Sequence, residues 1–362
     1  MKIAIVGLPK SGKTTVFDVL TKGKAEIGTY TTSLVPNVGV ARVPDARLLS
    51  LENRFHPKKV TPVEVSYVDI AGPLKTSGKE EIGGELLNYL TAADALLQVV
   101  RLFEDARVPH PEGSLDARRD IATLDLELAF SDLTIIQRRL DRVETALRGA
   151  QHSDREAYLR EQGLLHKLSE SLERDIPIRQ QDLAADESKS LSHYQFLTAK
   201  PMLIVLNIGE AQLSQASSLE DEIRVAYPQF GTIALCGKLE LELEQLSDTE
   251  AAEFREAMGL TQPALEQVID LSYRVLGLIS FFTTASDQLR AWTIPRGTTA
   301  PRAAGKIHSD MERGFIRAEV IGYNDLERCG TITEARKRGL LRVEGKNYVI
   351  NDGDVVTFLF NV

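Results

Sequence analysis

Apolar positions in this chain follow two rhythms: short dense runs near the amino end and around residue 205, and a spaced stripe between 126 and 172. The run Lys2 to Val6, K-I-A-I-V, is apolar and β-branched with little alternation, as a strand buried on both faces should be. The pattern returns in V-E-V-S-Y-V-D-I-A-G (Val63 to Gly72), A-D-A-L-L-Q-V-V-R (Ala93 to Arg101), M-L-I-V-L just before Asn207, and T-I-A-L-C-G (Thr232 to Gly237). After the first run, Thr15 to Leu20 reads as a helix with Val16, Val19 and Leu20 on one side. Strands alternating with helices predict an α/β fold, a doubly wound and mostly parallel sheet with helices on both faces.

The stripe repeats as a heptad through Leu126, Ala129, Leu133, Ile136, Leu140, Val143 and Leu147, the mark of a helix with one apolar seam. A polar link, R-G-A-Q-H-S, leads to a second helical stretch with Tyr158, Leu165, Leu168 and Leu172. The two predict an antiparallel helical hairpin with charged outer faces. Further on, short strands alternate with turns, and I-N-D-G-D (Ile350 to Asp354) is the turn before V-V-T-F-L-F. The expected organisation is an α/β domain in two pieces, 1–125 and 198–278, interrupted by the hairpin, 126–197, and followed by a small sheet-and-helix domain, 279–362.

A length of 362 residues suits two or three such domains. Two cysteines, Cys236 and Cys329, make no disulfide framework, which predicts a reducing compartment. The start lacks the apolar core and cleavage site of a secretory signal. No apolar run reaches the roughly 20 residues of a membrane helix. The expectation is a cytoplasmic protein with no membrane partner. A net charge of −9 argues against a protein that coats nucleic acid over its whole surface. From Ile279 onward, however, 3 Lys and 9 Arg face 5 Asp and 5 Glu, a formal +2 that leaves −11 elsewhere. The tail is thus the candidate for meeting RNA, through Arg313, Arg317, Arg336, Lys337 and Arg338, although E-A-R-K-R also reads as a solvated helix face.

The strongest chemical signal is G-L-P-K-S-G-K-T, Gly7 to Thr14, placed between a strand and a helix. Glycines let backbone amides turn inward around phosphates, and the helix N-terminus adds positive potential. Gly7, Lys10, Ser11, Gly12, Lys13, Thr14 and Thr15 form the candidate phosphate site. Lys13 would neutralise the β- and γ-phosphates, and the Thr14 hydroxyl would ligate Mg²⁺. Asp69, in D-I-A-G, would hold a magnesium-bound water, and the Gly72 amide would meet the γ-phosphate.

Base recognition turns on V-L-N-I-G-E, residues 205–210. A guanine reader would carry N-K-x-D here, whereas this chain has Ile208 for Lys and Glu210 for Asp. Guanine offers N1–H and N2–H₂ donors to a carboxylate of Asp length, and adenine offers neither. Asn207 suits the N7 edge of either purine, Ile208 would present an apolar surface beside the base, and Glu210 reaches one methylene too far. Cys236 and Gly237, ending the last strand, are assigned to the same site. The residues argue against guanine and permit adenine.

G-L-P-K-S-G-K-T-T, D-I-A-G, V-V-R-L-F-E-D, N-I-G-E, R-A-W-T-I-P-R-G…H-S-D-M-E-R-G-F-I-R-A-E and the closing D-G-D-V-V-T-F-L-F-N-V together resemble the Obg-like ATPases of the YchF family. The likeness spans essentially the whole chain. It implies a P-loop fold of the translation-factor class, a coiled-coil insertion, a C-terminal TGS domain of β-grasp type, slow ATP hydrolysis and association with ribosomes. It also points to a loop histidine, here His110 in F-E-D-A-R-V-P-H, to orient or deprotonate the attacking water, since Pro73 stands where Ras-like proteins carry Gln.

The chain departs from the family in places. Lys10 replaces the loop Asn that in related proteins helps hold a potassium ion. T-S-L-V-P-N, Thr32 to Asn37, replaces C-T-I-E-P-N, so Ser33 takes the place of the magnesium-ligating Thr and Thr32 that of a redox-sensitive cysteine. Two classes of function remain: a slow ATPase whose nucleotide sets its switch segments, with GTP as the alternative substrate, and a non-catalytic ribosome- or RNA-binding protein with structural nucleotide. Nothing in the sequence speaks to oligomeric state.

Overall fold

A computed structural model describes residues 1–22, 36–70, 82, 84–149, 151–191, 193–260, 262–285 and 287–361. Its strands are, in chain order, β1 (Lys2–Val6), β2 (Asn37–Arg42), β3 (Lys59–Thr61), β4 (Glu64–Asp69), β5 (Ala95–Arg101), β6 (Met202–Asn207) and β7 (Gly231–Leu235). They continue with β8 (Leu278–Ala285), β9 (Gln288–Pro295), β10 (Phe315–Gly322), β11 (Arg342–Glu344) and β12 (Asp354–Phe360). The chain divides into two compact units, Met1–Ala41 with Ser66–Leu271, and Arg42–Val65 with Ser272–Val362.

The first unit is built on a sheet ordered β2-β4-β1-β5-β6-β7. β1 pairs in parallel with β4 and β5, and β5–β6 and β6–β7 are parallel as well. Both faces are covered, so β5 and β6 are buried at every position, which is why their sequences lack alternation. On one face Ala4, Val6, Val68, Leu96, Val100, Ile204 and Leu206 pack against helix residues such as Ile121, Leu124 and Leu128. β1 has one neighbour reached by a leftward connection and one by a rightward connection. This reversal opens a crevice beyond the carboxyl ends of β1 and β5, where ligands bind in sheets of this type.

The hairpin is present as the helices Ala117–Gly149 and His152–Leu172. The first begins nine residues before the heptad because Asp116 caps it, its Oδ1 accepting from the Arg119 amide at 3.0 Å. The early turns bury Ile121, Leu124 and Leu128 against the sheet, so Leu126, expected on the seam, is 44% exposed. Farther out the seam holds, with Ala129, Ile136 and Leu140 packed on Leu165, Leu168 and Leu172. Asp132 staples this helix to the entrance of β6. Its carboxylate accepts from the Leu197 amide at 2.9 Å, the Thr198 amide at 2.8 Å and the Thr198 hydroxyl at 2.6 Å.

The second unit carries a mixed sheet, β11-β10-β12-β8-β9-β3. β8–β9 and β10–β12 are antiparallel, while β12–β8 is parallel, and the helix Ala300–Ile307 buries Ala300, Ala303 and Ala304 against the sheet. Arg42–Val65, expected with the amino-terminal domain, belongs to this unit. β3 pairs in parallel with β9, and Leu48 and Leu51 of the helix Ala46–Phe55 pack on Phe282, Leu289 and Leu326. Position in the chain could not show this, because the segment's apolar residues suit either partner.

Candidate functional site

Every strand of the parallel sheet that carries a candidate residue delivers it at its carboxyl end. β1 leads into the phosphate loop, β4 ends at Asp69, β6 at Asn207, and β7 is followed by Cys236 and Gly237. The loop is shaped by two glycines. Gly7 has φ +149°, and a Cβ there would lie 2.4 Å from the Val99 carbonyl oxygen. Gly12, at φ +88°, caps the helix Lys13–Thr21, and its Cβ would lie 2.2 Å from Asn207 Nδ2. A side chain at Gly12 is therefore refused twice, by backbone conformation and by the Asn207 amide. Lys10 adopts the left-handed conformation too, at φ +65°, with its residue exposed.

Lys13 is only 7% exposed, and its Nζ donates to the carbonyls of Gly7 at 3.0 Å and Leu8 at 3.1 Å. Burial pushes its ammonium below the ordinary lysine value, with Asp69 and Glu127 opposing. The Thr14 hydroxyl donates to Asp69 Oδ2 at 2.8 Å. Burial raises the Asp69 carboxyl above its usual range, while Thr14, Lys13 and Asn37 pull it back. Asp69 Oδ1 and Ser11 Oγ are buried without a hydrogen-bond partner among the described residues. A buried carboxylate oxygen left open beside a threonine hydroxyl is an all-oxygen donor set of the kind a hard divalent cation takes. Ser33 and Gly72, with Thr32 and Pro73, lie outside the described residues.

Asn207 joins the loop to the end of β7. Its Nδ2 donates to the Ser11 carbonyl at 3.1 Å, and its Oδ1 accepts from the Gly237 amide at 3.2 Å. One Nδ2 hydrogen remains for a base. Thr15 is close by, its Cγ2 3.1 Å from where a Gly237 Cβ would sit. Cys236 is buried, and burial raises its thiol. Ile208 corrects an expectation: at 1% exposure it packs into the core under β6 and presents no surface to a base. It follows Asn207 in an extended backbone, so the two side chains point to opposite faces. Glu210 is 48% exposed, and its Oε1 accepts from Lys238 Nζ at 3.0 Å.

His110 is held by Asp120 and the Glu112 amide. Its Nε2 lies 3.0 Å from Asp120 Oδ2, and its Nδ1 accepts from the Glu112 amide at 3.1 Å. Arg119 pairs with the other Asp120 oxygen at 2.8 Å. Both ring nitrogens are therefore engaged, and His110 makes no hydrogen bond to a phosphate-loop residue in this arrangement.

Sequence reasoning passed over two groups at this site. Phe103 follows β5, and its Cε1 would be 3.7 Å from a Gly12 Cβ, placing an aromatic ring beside the loop. Lys238, directly after Gly237, holds Glu210. The available signals were an aromatic just past a buried strand and a cation just past a strand-ending glycine.

Comparison with known proteins bears on the whole chain. A family model described as a 50S ribosome-binding GTPase matches residues 2–132, and the YchF-GTPase_C model, described as a protein of unknown function, matches 278–361. The ribosome-binding ATPase YchF of Bacillus subtilis is 38% identical over 364 residues, covering 99% of this chain and 98% of the relative. The chain belongs to the YchF family. The YchF of Escherichia coli O157:H7, also named a ribosome-binding ATPase, is 37% identical over 100% of this chain and 99% of its own length. The YchF GTPase structure from Schizosaccharomyces pombe superposes with a TM-score of 0.86 at 32% identity, covering 99% of this chain and 97% of that one. The fold class expected from the sequence is the one observed, a P-loop α/β protein with a C-terminal domain. YchF relatives thus carry both nucleotides in their names, ATP for the bacterial proteins and GTP for the yeast one.

Proposed function

We propose that the chain is a magnesium-dependent ATPase of slow turnover that works in the cytoplasm as a nucleotide-controlled switch on the ribosome. The observation carrying the choice of ATP is the Glu210–Lys238 pair at 3.0 Å. Reading guanine requires a carboxylate free to accept two donors, and here the carboxylate is longer than Asp and occupied by an ammonium. Asn207 keeps one amide hydrogen for the N7 edge, which adenine also has.

Thr14 and Asp69 are the proposed magnesium ligands, the aspartate through water, with Ser33 as the third group. Bound magnesium would neutralise charge on the β- and γ-phosphates. Lys13 transfers its hydrogen bonds from the Gly7 and Leu8 carbonyls to phosphate oxygens. That exchange is favoured because its buried charge gains an anion in place of neutral acceptors. The Gly72 amide donates to the γ-phosphate. His110 leaves Asp120 and orients the water; the need to break that contact fits a slow rate. The engaged state of both His110 nitrogens also supports the second reading, a binding protein with structural nucleotide.

Ribosome association is extended to this chain from the names of its relatives. Of the five candidate RNA-binding residues of the tail, Arg317 is exposed and the other four are in ion pairs at the surface. Arg313 pairs with Asp310, Arg336 with Glu319, and Arg338 and Lys337 with Glu334. Single-turnover phosphate release with ATP and GTP is the test. Release from ATP that disappears in His110→Ala supports the proposal. Release unchanged in that variant removes the histidine from it, and no release at all favours the binding protein.

A further inference from the structure

Arg101 ends β5, a strand otherwise made of apolar residues and Gln98, and it is 2% exposed. It sits in register with Asn207 on β6. Its Nε donates to the Phe103 carbonyl at 3.1 Å and its Nη2 to the Val108 carbonyl at 2.7 Å. Its guanidinium carbon lies 4.5 Å from the centre of the Phe103 ring. Nη1 is buried with no partner, and no salt bridge holds the residue among the described ones. Asp105 attracts the guanidinium electrostatically but makes its contact ion pair with Arg107. Burying a guanidinium without a contacting carboxylate is costly, and an apolar side chain would fill the space at less expense. What the apolar side chain could not supply is a rigid fork with two donors aimed at two different carbonyls.

Those carbonyls lie at the two ends of one loop. Phe103 begins it, beside Gly12 and Gly209 and next to Asn207, whose own carbonyl accepts from the Leu102 amide at 2.8 Å and the Phe103 amide at 3.1 Å. Val108 closes the turn that Asp105 opens, its amide donating to the Asp105 carbonyl at 3.0 Å, and His110 is two residues further on. An unbroken set of short contacts thus runs from the strand end that meets the base, through the Arg101 fork, to the segment carrying His110.

We propose that Arg101 is a positioning residue that transmits occupancy of the base site to the His110 loop, so that the identity of the base is read out in turnover rather than in binding alone. A base seated against Asn207 and Phe103 fixes the Phe103 carbonyl, and the planar fork passes that placement to Val108. The inference rests on the proposed role of His110, and the experiment separates the two.

Kd and single-turnover rate are measured for ATP and for CTP, which keeps the triphosphate but lacks a purine, on the full chain. The variants are Arg101→Met, Arg101→Lys, His110→Ala and the Arg101→Met/His110→Ala double. Arg101→Met is expected to lower the ATP rate about a hundredfold, the loss a 1 Å misplacement produces, while Kd for ATP moves less than about threefold. The rate advantage of ATP over CTP disappears in that variant. Arg101→Lys recovers little, because one ammonium cannot serve both carbonyls. The double variant is no slower than the slower single. Equal changes in Kd and rate, an ATP-to-CTP rate ratio that survives, or multiplicative losses in the double variant would overturn the proposal. If His110→Ala is silent while Arg101→Met is slow and blind to the base, the histidine assignment fails and the Arg101 linkage stands. Should Arg101→Met not fold, Arg101→Lys carries the test. It keeps the charge but loses the fork that reaches both carbonyls, and an unchanged ATP-to-CTP rate ratio there overturns the linkage.

Discussion

Asn207 donates through Nδ2 to the carbonyl of Ser11, 3.1 Å away, tying the strand on the base side to the phosphate loop across 196 positions of sequence. The other end of the same amide accepts from the Gly237 backbone. One side chain therefore sets the spacing between the proposed phosphate loop site and the proposed base site.

Asn207→Ala strips both partners and leaves a carbonyl and an amide buried and unmet, at about 1–3 kcal/mol each. The expected result is a fall in ATP affinity of at least tenfold together with a clear loss of thermal stability. Titration calorimetry and a melting curve on the same preparation measure both. An affinity within twofold of the parent would show that the loop holds its shape unaided.

Gly12→Ala meets two obstacles together, a φ of +88° and a Cβ 2.2 Å from Asn207 Nδ2. The loop must distort locally while the sheet beneath is untouched. Nucleotide binding is expected to vanish with the fold retained. The check is a melting temperature near the parent's that no longer rises when ATP and magnesium are added.

Lys10 replaces the asparagine expected to help hold a potassium ion, and its left-handed backbone leaves the side chain on an exposed loop. With the ammonium standing in for that ion, turnover is the same in sodium as in potassium buffer, and Lys10→Asn acquires a potassium dependence. Strong stimulation of the unmodified protein by potassium would contradict this.

Asp132 gives a dependence on pH. Burial pushes its carboxyl up to about 6, against the three donors that favour the ionised form. Its value in the folded chain thus lies above the ordinary 3.8, so protonation favours folding. The contribution is complete below about pH 4 and is lost as pH rises through about 6, by up to about 3 kcal/mol for this one group. Urea unfolding at pH 5 and pH 7.5 is expected to show a larger loss of stability at the higher pH for the parent than for Asp132→Asn. Identical pH slopes would mean that the three donors already offset burial.

The reach of the sequence followed the physics of each feature. Strands buried on both faces announce themselves, because mostly apolar residues survive there; Lys2–Val6 and Met202–Asn207 are such cases. The phosphate loop was equally legible, since its glycines answer to backbone conformation and not to partners. The assignment of Arg42–Val65 was not, because pairing of β3 with β9 joins residues far apart in the chain and leaves no local mark. Ile208 was misread because its side chain was judged by the motif position it fills and not by strand alternation, which turns it inward from Asn207. Lys238 escaped notice because an ion pair between residues 28 positions apart depends on two helix starts meeting beyond the ends of β6 and β7.

The proposed preference for ATP rests on a phosphate loop joined to a base site whose carboxylate is held by Lys238. Calorimetric titration of one preparation with ATP and with GTP, each with magnesium, tests it most directly. ATP is expected to bind tighter by about tenfold or more, some 1.4 kcal/mol. GTP bound as tightly as ATP, or more so, would contradict it.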